Sequence, residues 1–430
     1  MISAAQRRVA VICAAVACIL ILVGSAAASP AVNAKVAELN TKGVEHYRAK
    51  QWDAAIAAFR EAYRLDPDRA AISANLSNAL QAKADVLYEA SDVASAAAHL
   101  EEAIRITPDA PRLHLHLGAC YLRMDRVADA IRHIEEAVER EPGVPEAHDL
   151  LGQAYYRDGD AASALAQWEW VIEVKPDRPG LAERIEKARR EADVEATYNR
   201  RDSRHFRVSY APGTSYSDMR RALTILERAY TEVGRRFGGV YPPGPIQVRV
   251  YTADDFSRVT LLGEHVGALY DGAIRLPLSD RTGQVLDEAE LKRRLYHEYT
   301  HVVVRHIVGD DVPWWLNEGL AETVSTELMP PDVERLEQAY RSDAAFSIAE
   351  LQEHQLLRLP PESLQIAYLQ AHAAVRHLHA RYGQTRLNQF LTALGNGTAH
   401  DAALRQAYRR TYAQLDDELR KQYAPGRRRR

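Results

Sequence analysis

A chain of 430 residues is long enough for two or three domains, each with a core of its own. With 47% hydrophobic and 27% charged residues it reads as globular, which excludes a disordered or fibrous protein. A formal net charge of −4 gives no basis for a nucleic-acid partner, and the one basic run, Arg427 to Arg430, reads as a solvated tail over 425–430.

The N-terminus has the layout of an export signal. Arg7 and Arg8 precede an uncharged apolar stretch from Val9 to Gly24, and Ser25 to Ser29 are small residues that suit cleavage after Ala28. The alternative is an uncleaved anchor, because the 20 residues from Val9 to Ala28 suffice to cross a hydrocarbon core of about 30 Å as a helix. Residues 1–28 therefore imply an exported, periplasmic or otherwise extracytoplasmic protein, anchored to the inner membrane through residues 9–28 if the segment stays. Cys13 and Cys18 lie within it, so the mature chain keeps only Cys120 and forms no intrachain disulfide.

From residue 36 a spacing recurs. Gly43, Ala55, Phe59, Ala62 and Pro67 return as Gly118, Ala130, Ile134, Ala137 and Pro142, then as Gly152, Ala164, Trp168, Val171 and Pro176. The last two sets are offset by 34 residues. Small residues let two helices approach, a large apolar one fills the gap, and proline ends the second helix. The pattern resembles the tetratricopeptide repeat. Four repeats are expected, over 36–69, 70–110, 111–144 and 145–178. Pro67 and Pro108 are 41 apart, so the second repeat carries two extra helical turns, expected as longer helices around Ala82 to Ala94. Such an array offers a concave surface to a protein partner; a plain structural spacer is the other reading. A polar segment rich in Glu and Arg follows, and 179–202 is expected as a solvated capping or connecting helix.

Past Arg204 the pattern changes. His205 to Tyr210 alternates like a strand, Ser217 to Phe237 has helical periodicity, and Ile246 to Tyr251 alternates again after the turn at Pro242 to Pro245. Gly267 to Leu278 reads as a further strand segment. The rest is mostly helical, so 203–424 is expected to be an α+β domain.

The helix expected over Glu288 to Val308 carries His297-Glu298-Tyr299-Thr300-His301, an H-E-x-x-H motif. Residues four apart share a helix face, so both imidazoles can reach one Zn²⁺ at about 2.0–2.1 Å. Glu298 then stands where it can take a proton from a water activated on the zinc. After a break at Gly309-Asp310-Asp311 and a helix start at Pro313 comes Asn317-Glu318-Gly319-Leu320-Ala321-Glu322, on a helix that can return a carboxylate to the same metal.

That string resembles the third-ligand segment of gluzincin peptidases, the thermolysin-like part of the peptidase MA superfamily. The resemblance covers roughly 203–395 and is specific only in the two motif segments. It implies a zincin fold, one zinc per chain and Glu318 as third ligand. The span from His301 is slightly shorter than in the best-known members, so the connection must be tighter. Ile307 stands where the metzincin class would have a third histidine. By the same resemblance Glu322 hydrogen-bonds the back of a zinc-bound imidazole, a solvated helix charge being the alternative. A strand beside the metal would pair with extended peptide, and Gly267 to Ile274 is the candidate, either as that edge or as an ordinary core strand. An oxyanion donor is expected downstream: Tyr368 first, with His372 one turn later.

Together these readings describe a tetratricopeptide solenoid followed by an α+β thermolysin-like metallopeptidase domain. Its expected activity is zinc-dependent hydrolysis of peptide bonds in a peptide or protein substrate, with Glu298 as base and Tyr368 assisting. The competing reading is an inactive repeat-based scaffold with a peptidase-like domain.

Overall fold

The computed structural model describes residues 30–261, 268–280, 282–309, 311–352 and 359–425. The export segment 1–28, Gly267, Asp310 and Arg427 to Arg430 lie outside the described residues. Within them, no helix is long and apolar enough to cross a membrane. The chain divides into two compact units, residues 1–85 with 98–109 and residues 86–97 with 110–430.

The first two repeats are the helix pairs α1 (Pro30–Arg48) with α2 (Trp52–Leu65) and α3 (Ala70–Glu89) with α4 (Val93–Ile106). The two extra turns of the second repeat fall in α3 alone, which has 20 residues where α4 has 14. In the second unit, α5 (Pro111–Arg123) pairs with α6 (Val127–Arg140), and α7 (Pro145–Asp158) with α8 (Ala161–Val174). The prolines opening α5 and α7 occupy the first turn, where a missing N–H costs nothing. Close packing explains the repeated glycine: a Cβ at Gly152 would lie 2.4 Å from Trp168 Nε1, and one at Gly118 2.3 Å from Ile134. The four helix pairs span 30–65, 70–106, 111–140 and 145–174.

Helix α9 (Leu181–Glu195) corrects one expectation. It caps the array, but one face is buried: Leu181, Ile185 and Ala188 pack against Trp168 and Val171, and Glu191 is buried as well.

A five-stranded sheet follows, formed by β1 (Asn199–Asp202), β2 (Phe206–Tyr210), β3 (Ile246–Tyr251), β4 (Leu269–Tyr270) and β5 (Ile274–Pro277). Its order is β1-β2-β3-β5-β4; the central pairings β2–β3 and β3–β5 are parallel, and both edge pairings are antiparallel. Helix α10 (Tyr216–Arg236) connects β2 to β3, and α11 (Ala253–Thr260) follows β3. The expected single strand over 267–278 is instead a hairpin that turns at Asp271 and Gly272, where Gly272 adopts φ 110. Asp-Gly is a strong turn dipeptide, because positive φ costs glycine nothing.

Alternation divides the sheet into two faces. Phe206, Val208, Val248, Val250, Ile274 and Leu276 join the apolar core with α10 and with α12 (Glu288–Val308). Gln247, Arg249, Tyr251 and Arg275 point the other way and are nevertheless buried. Helix α12 is capped by Asp287, which accepts from Glu290 N, and is buried nearly all round, as a central helix must be. It ends at Gly309 with φ 89, and α13 (Trp314–Ser325) begins five residues later. Then come α14 (Pro330–Arg341), α15 (Pro361–Gly395, broken at Gly383), α16 (His400–Tyr408) and α17 (Tyr412–Tyr423).

Candidate metal centre

Helices α12 and α13 meet where the motif residues lie. His297, His301 and Glu318 each offer one ligand atom, all within 4.8 Å of one another. His297 Nε2 lies 3.5 Å from Glu318 Oε2, and His301 Nε2 lies 3.7 Å from the same oxygen. A tetrahedral zinc with bonds of about 2.0–2.1 Å needs ligand atoms roughly 3.3 Å apart, so both histidine–glutamate separations suit that ion, while the group as a whole must draw in from a span of up to 4.8 Å.

Other groups hold the backs of the rings. His301 Nδ1 donates to Asn317 Oδ1 at 3.0 Å, and His297 Nδ1 lies 3.4 Å from Glu322 Oε1. Both contacts leave the Nε2 atoms facing Glu318. Glu322 thus stands beside the imidazole at ion-pair distance, while His297 Nδ1 makes no hydrogen bond among the described residues. The motif string alone assigns Asn317 no role; its place one residue before Glu318 is the signal that points to it.

The site's electrostatics call for a cation. Glu298 is buried, and its Oε2 meets no hydrogen-bond partner among the described residues. Burial, aided by the charges of Glu318 and Asp271, raises its carboxyl to about 7. Burial works against charge on His297, yet the Glu318 hydrogen bond and the fields of Glu298, Glu318 and Glu322 raise it to about 9. Burial, with the neighbouring His297, lowers His301. Three carboxylates thus stand beside the two imidazoles in a largely buried site, where positive charge is the stabilising response.

Two features set the position of α13. Trp314 and Trp315 are buried in its first turn and anchor it. Gly319 faces α15 so closely that a Cβ there would sit 2.3 Å from the Ala371 carbonyl oxygen. This approach brings Tyr368 to the site: its ring meets Trp314 edge-on at 5.1 Å between centroids. Burial and the charges of Glu318, Glu298 and Glu322 raise the Tyr368 phenol, which stays a hydrogen-bond donor. His372 is buried elsewhere; burial and Arg376 lower it to about 4, and the acid acting on it is Asp332. His377 pairs instead with Glu418 at 2.9 Å.

Beside this site, β4 is the outer strand of the sheet and packs on α12, with the Arg305 guanidinium 5.9 Å from the Tyr270 ring centre. Leu269–Tyr270 is thus an edge, one of the two readings left open for this segment.

Comparison with known proteins agrees with this layout. Residues 285–424 match the Peptidase MA superfamily, and residues 36–69 and 87–154 match tetratricopeptide repeat families. The chain therefore carries tetratricopeptide repeats followed by a Peptidase MA superfamily domain. No curated protein matches it. Among solved structures, similar ones include the first tetratricopeptide domain of Spaghetti (RPAP3) bound to an HSP90 peptide, at 18% identity over 27% of this chain and 93% of that one, TM-score 0.27. MamA from Desulfovibrio magneticus is similar at 19% identity over 34% and 78%, TM-score 0.26. PilF of Pseudomonas aeruginosa is similar at 15% over 39% and 72%, TM-score 0.28.

Proposed function

We propose that this protein is an exported zinc-dependent peptidase of gluzincin type, with a thermolysin-like catalytic domain over 203–424. The observation that carries the reading is the convergence of His297 Nε2 and His301 Nε2 on one oxygen of Glu318. In this reading those three residues hold one zinc per chain. Bound zinc would supply Lewis acidity toward the scissile carbonyl and toward water. Glu298, buried and raised to about 7, accepts the proton of the attacking water and later delivers it to the leaving amine. Tyr368 donates its phenolic hydrogen to the oxyanion. Asn317 and Glu322 fix the tautomers and orientation of the two imidazoles. The substrate is a peptide or protein segment paired with the Leu269–Tyr270 edge. The repeats serve protein contacts, and residues 1–28 direct export with or without a retained anchor.

The test is metal analysis joined to a substrate search. Purified protein should hold about one zinc per chain, and His297→Ala should lose it. Glu298→Gln should keep the metal yet abolish cleavage, read by comparing envelope proteomes of cells carrying either form. Full function of Glu298→Gln in cells would sink the reading in favour of an inactive scaffold.

A further inference from the structure

Lys187, Glu191 and Glu195 recur every four positions along α9 and so form one stripe on one face. Opposite the stripe stand Asp271, Arg275 and Arg249, and every member meets the opposite charge. Lys187 Nζ lies 2.5 Å from Asp271 Oδ2, Arg275 Nη2 lies 3.1 Å from Glu191 Oε2, and Arg249 Nε lies 2.9 Å from Glu195 Oε2. Arg275 also donates from Nε to Asp271 at 2.8 Å and from Nη1 to the Tyr251 hydroxyl at 2.7 Å. Tyr156 of the fourth repeat donates to Glu191 at 2.6 Å.

The sheet makes this partnership necessary. Arg249 and Arg275 are register partners on neighbouring strands, so two like charges stand side by side in its interior. Buried ion pairs contribute little net stability, but they admit few alternative geometries. The geometry specified here is that of the hairpin. Its outer strand β4 pairs over only two residues, too few to hold a position alone. Asp271 at its turn and Arg275 on β5 are the points at which α9 grips it. Beneath it lies α12, the helix that carries His297 and His301.

We propose that the capping helix is a positioning element for peptide binding. Through Asp271 and Arg275, Lys187 and Glu191 hold the outer edge of Leu269–Tyr270 where a peptide paired with it crosses the candidate metal centre. This rests on the peptidase reading above, and it makes the repeat array part of the substrate-binding apparatus without any repeat partner.

Two measurements on the full-length protein test it. Hydrogen–deuterium exchange over 268–277 reads the position of the hairpin directly, and steady-state kinetics compare random decapeptides with random blocked tripeptides too short to span the strand. Lys187→Met and Glu191→Gln should each speed exchange in the hairpin while leaving α12 protected. Each should raise KM for decapeptides about fivefold or more, with kcat within about twofold and tripeptide cleavage unchanged. Lys187→Arg should behave as wild type. Unchanged exchange, or equal losses on long and short peptides, would overturn the proposal while leaving the peptidase reading intact. A wild-type protein that cleaves neither probe would overturn both.

Discussion

Asn317 Oδ1 receives the Nδ1 proton of His301 across 3.0 Å, which sets the tautomer that leaves Nε2 as a lone pair toward Glu318. The residue that orients His301 and the candidate third ligand Glu318 are consecutive residues on one helix. Asn317→Ala should therefore lower zinc affinity about 10–100-fold, measured by competition with a chromophoric chelator. The metal-free fold should melt at nearly the wild-type temperature.

Tyr368 lies in the field of the same carboxylates but offers no ligand atom to the metal group. Tyr368→Phe keeps the ring against Trp314 and removes only the donor. It should reduce kcat about 10²–10³-fold with zinc content unchanged. A loss confined to KM would remove Tyr368 from the chemistry.

At Gly319 an added methyl would meet a backbone oxygen, which cannot swing aside as a side chain does. Gly319→Ala should force α13 and α15 apart and destabilise the protein by about 1–3 kcal/mol. Thermal melting checks this, and zinc affinity should fall with it because Glu318 precedes the displaced residue.

Arg275→Met should be among the costliest single changes outside the metal centre. It removes the ion-pair partner of the buried Glu191, which keeps only the Tyr156 hydrogen bond, a loss of about 3–5 kcal/mol. The double variant Arg275→Met with Glu191→Leu should recover much of that, so a double-mutant cycle in urea should show a large favourable coupling.

His372 gives a pH dependence of definite sign. Burial lowers its folded value to about 4, below the ordinary value of about 6.5. Between those limits the unfolded chain binds the extra proton, so stability is full above about pH 6.5 and declines as pH falls toward 4. The contribution is at most about 3 kcal/mol. His372→Gln should flatten the difference in unfolding free energy between pH 7 and pH 4.5.

Much of this was legible in the sequence because the signals were periodic or chemically rare. Four helix pairs follow from Gly, Ala and Pro at fixed offsets, and α12 spans the residues that its motif implies. Glu318 was readable as a candidate ligand because its carboxylate sits inside a distinctive string. Other features depended on tertiary partners. Ile246 to Tyr251 alternates as a half-exposed strand would, yet all six residues are buried, because α9 covers the polar face. The same helix looked solvated because its buried glutamates find arginines that lie 54 and 84 residues further along. The hairpin at 269–277 did announce itself in Asp271-Gly272, whose turn preference outweighs the apolar continuity around it.

The polar face of the sheet also bears on how the protein can be divided. A fragment starting at residue 203 would present Arg249 and Arg275 to solvent on a surface shaped for neighbours that it lacks. One starting at 285 would lose the strands altogether. The smallest portable piece that keeps the candidate metal centre therefore begins no later than Pro145, so that Tyr156 and α9 travel with the strands they cover. Shuffling such a domain between architectures would mean moving the last repeat along with it.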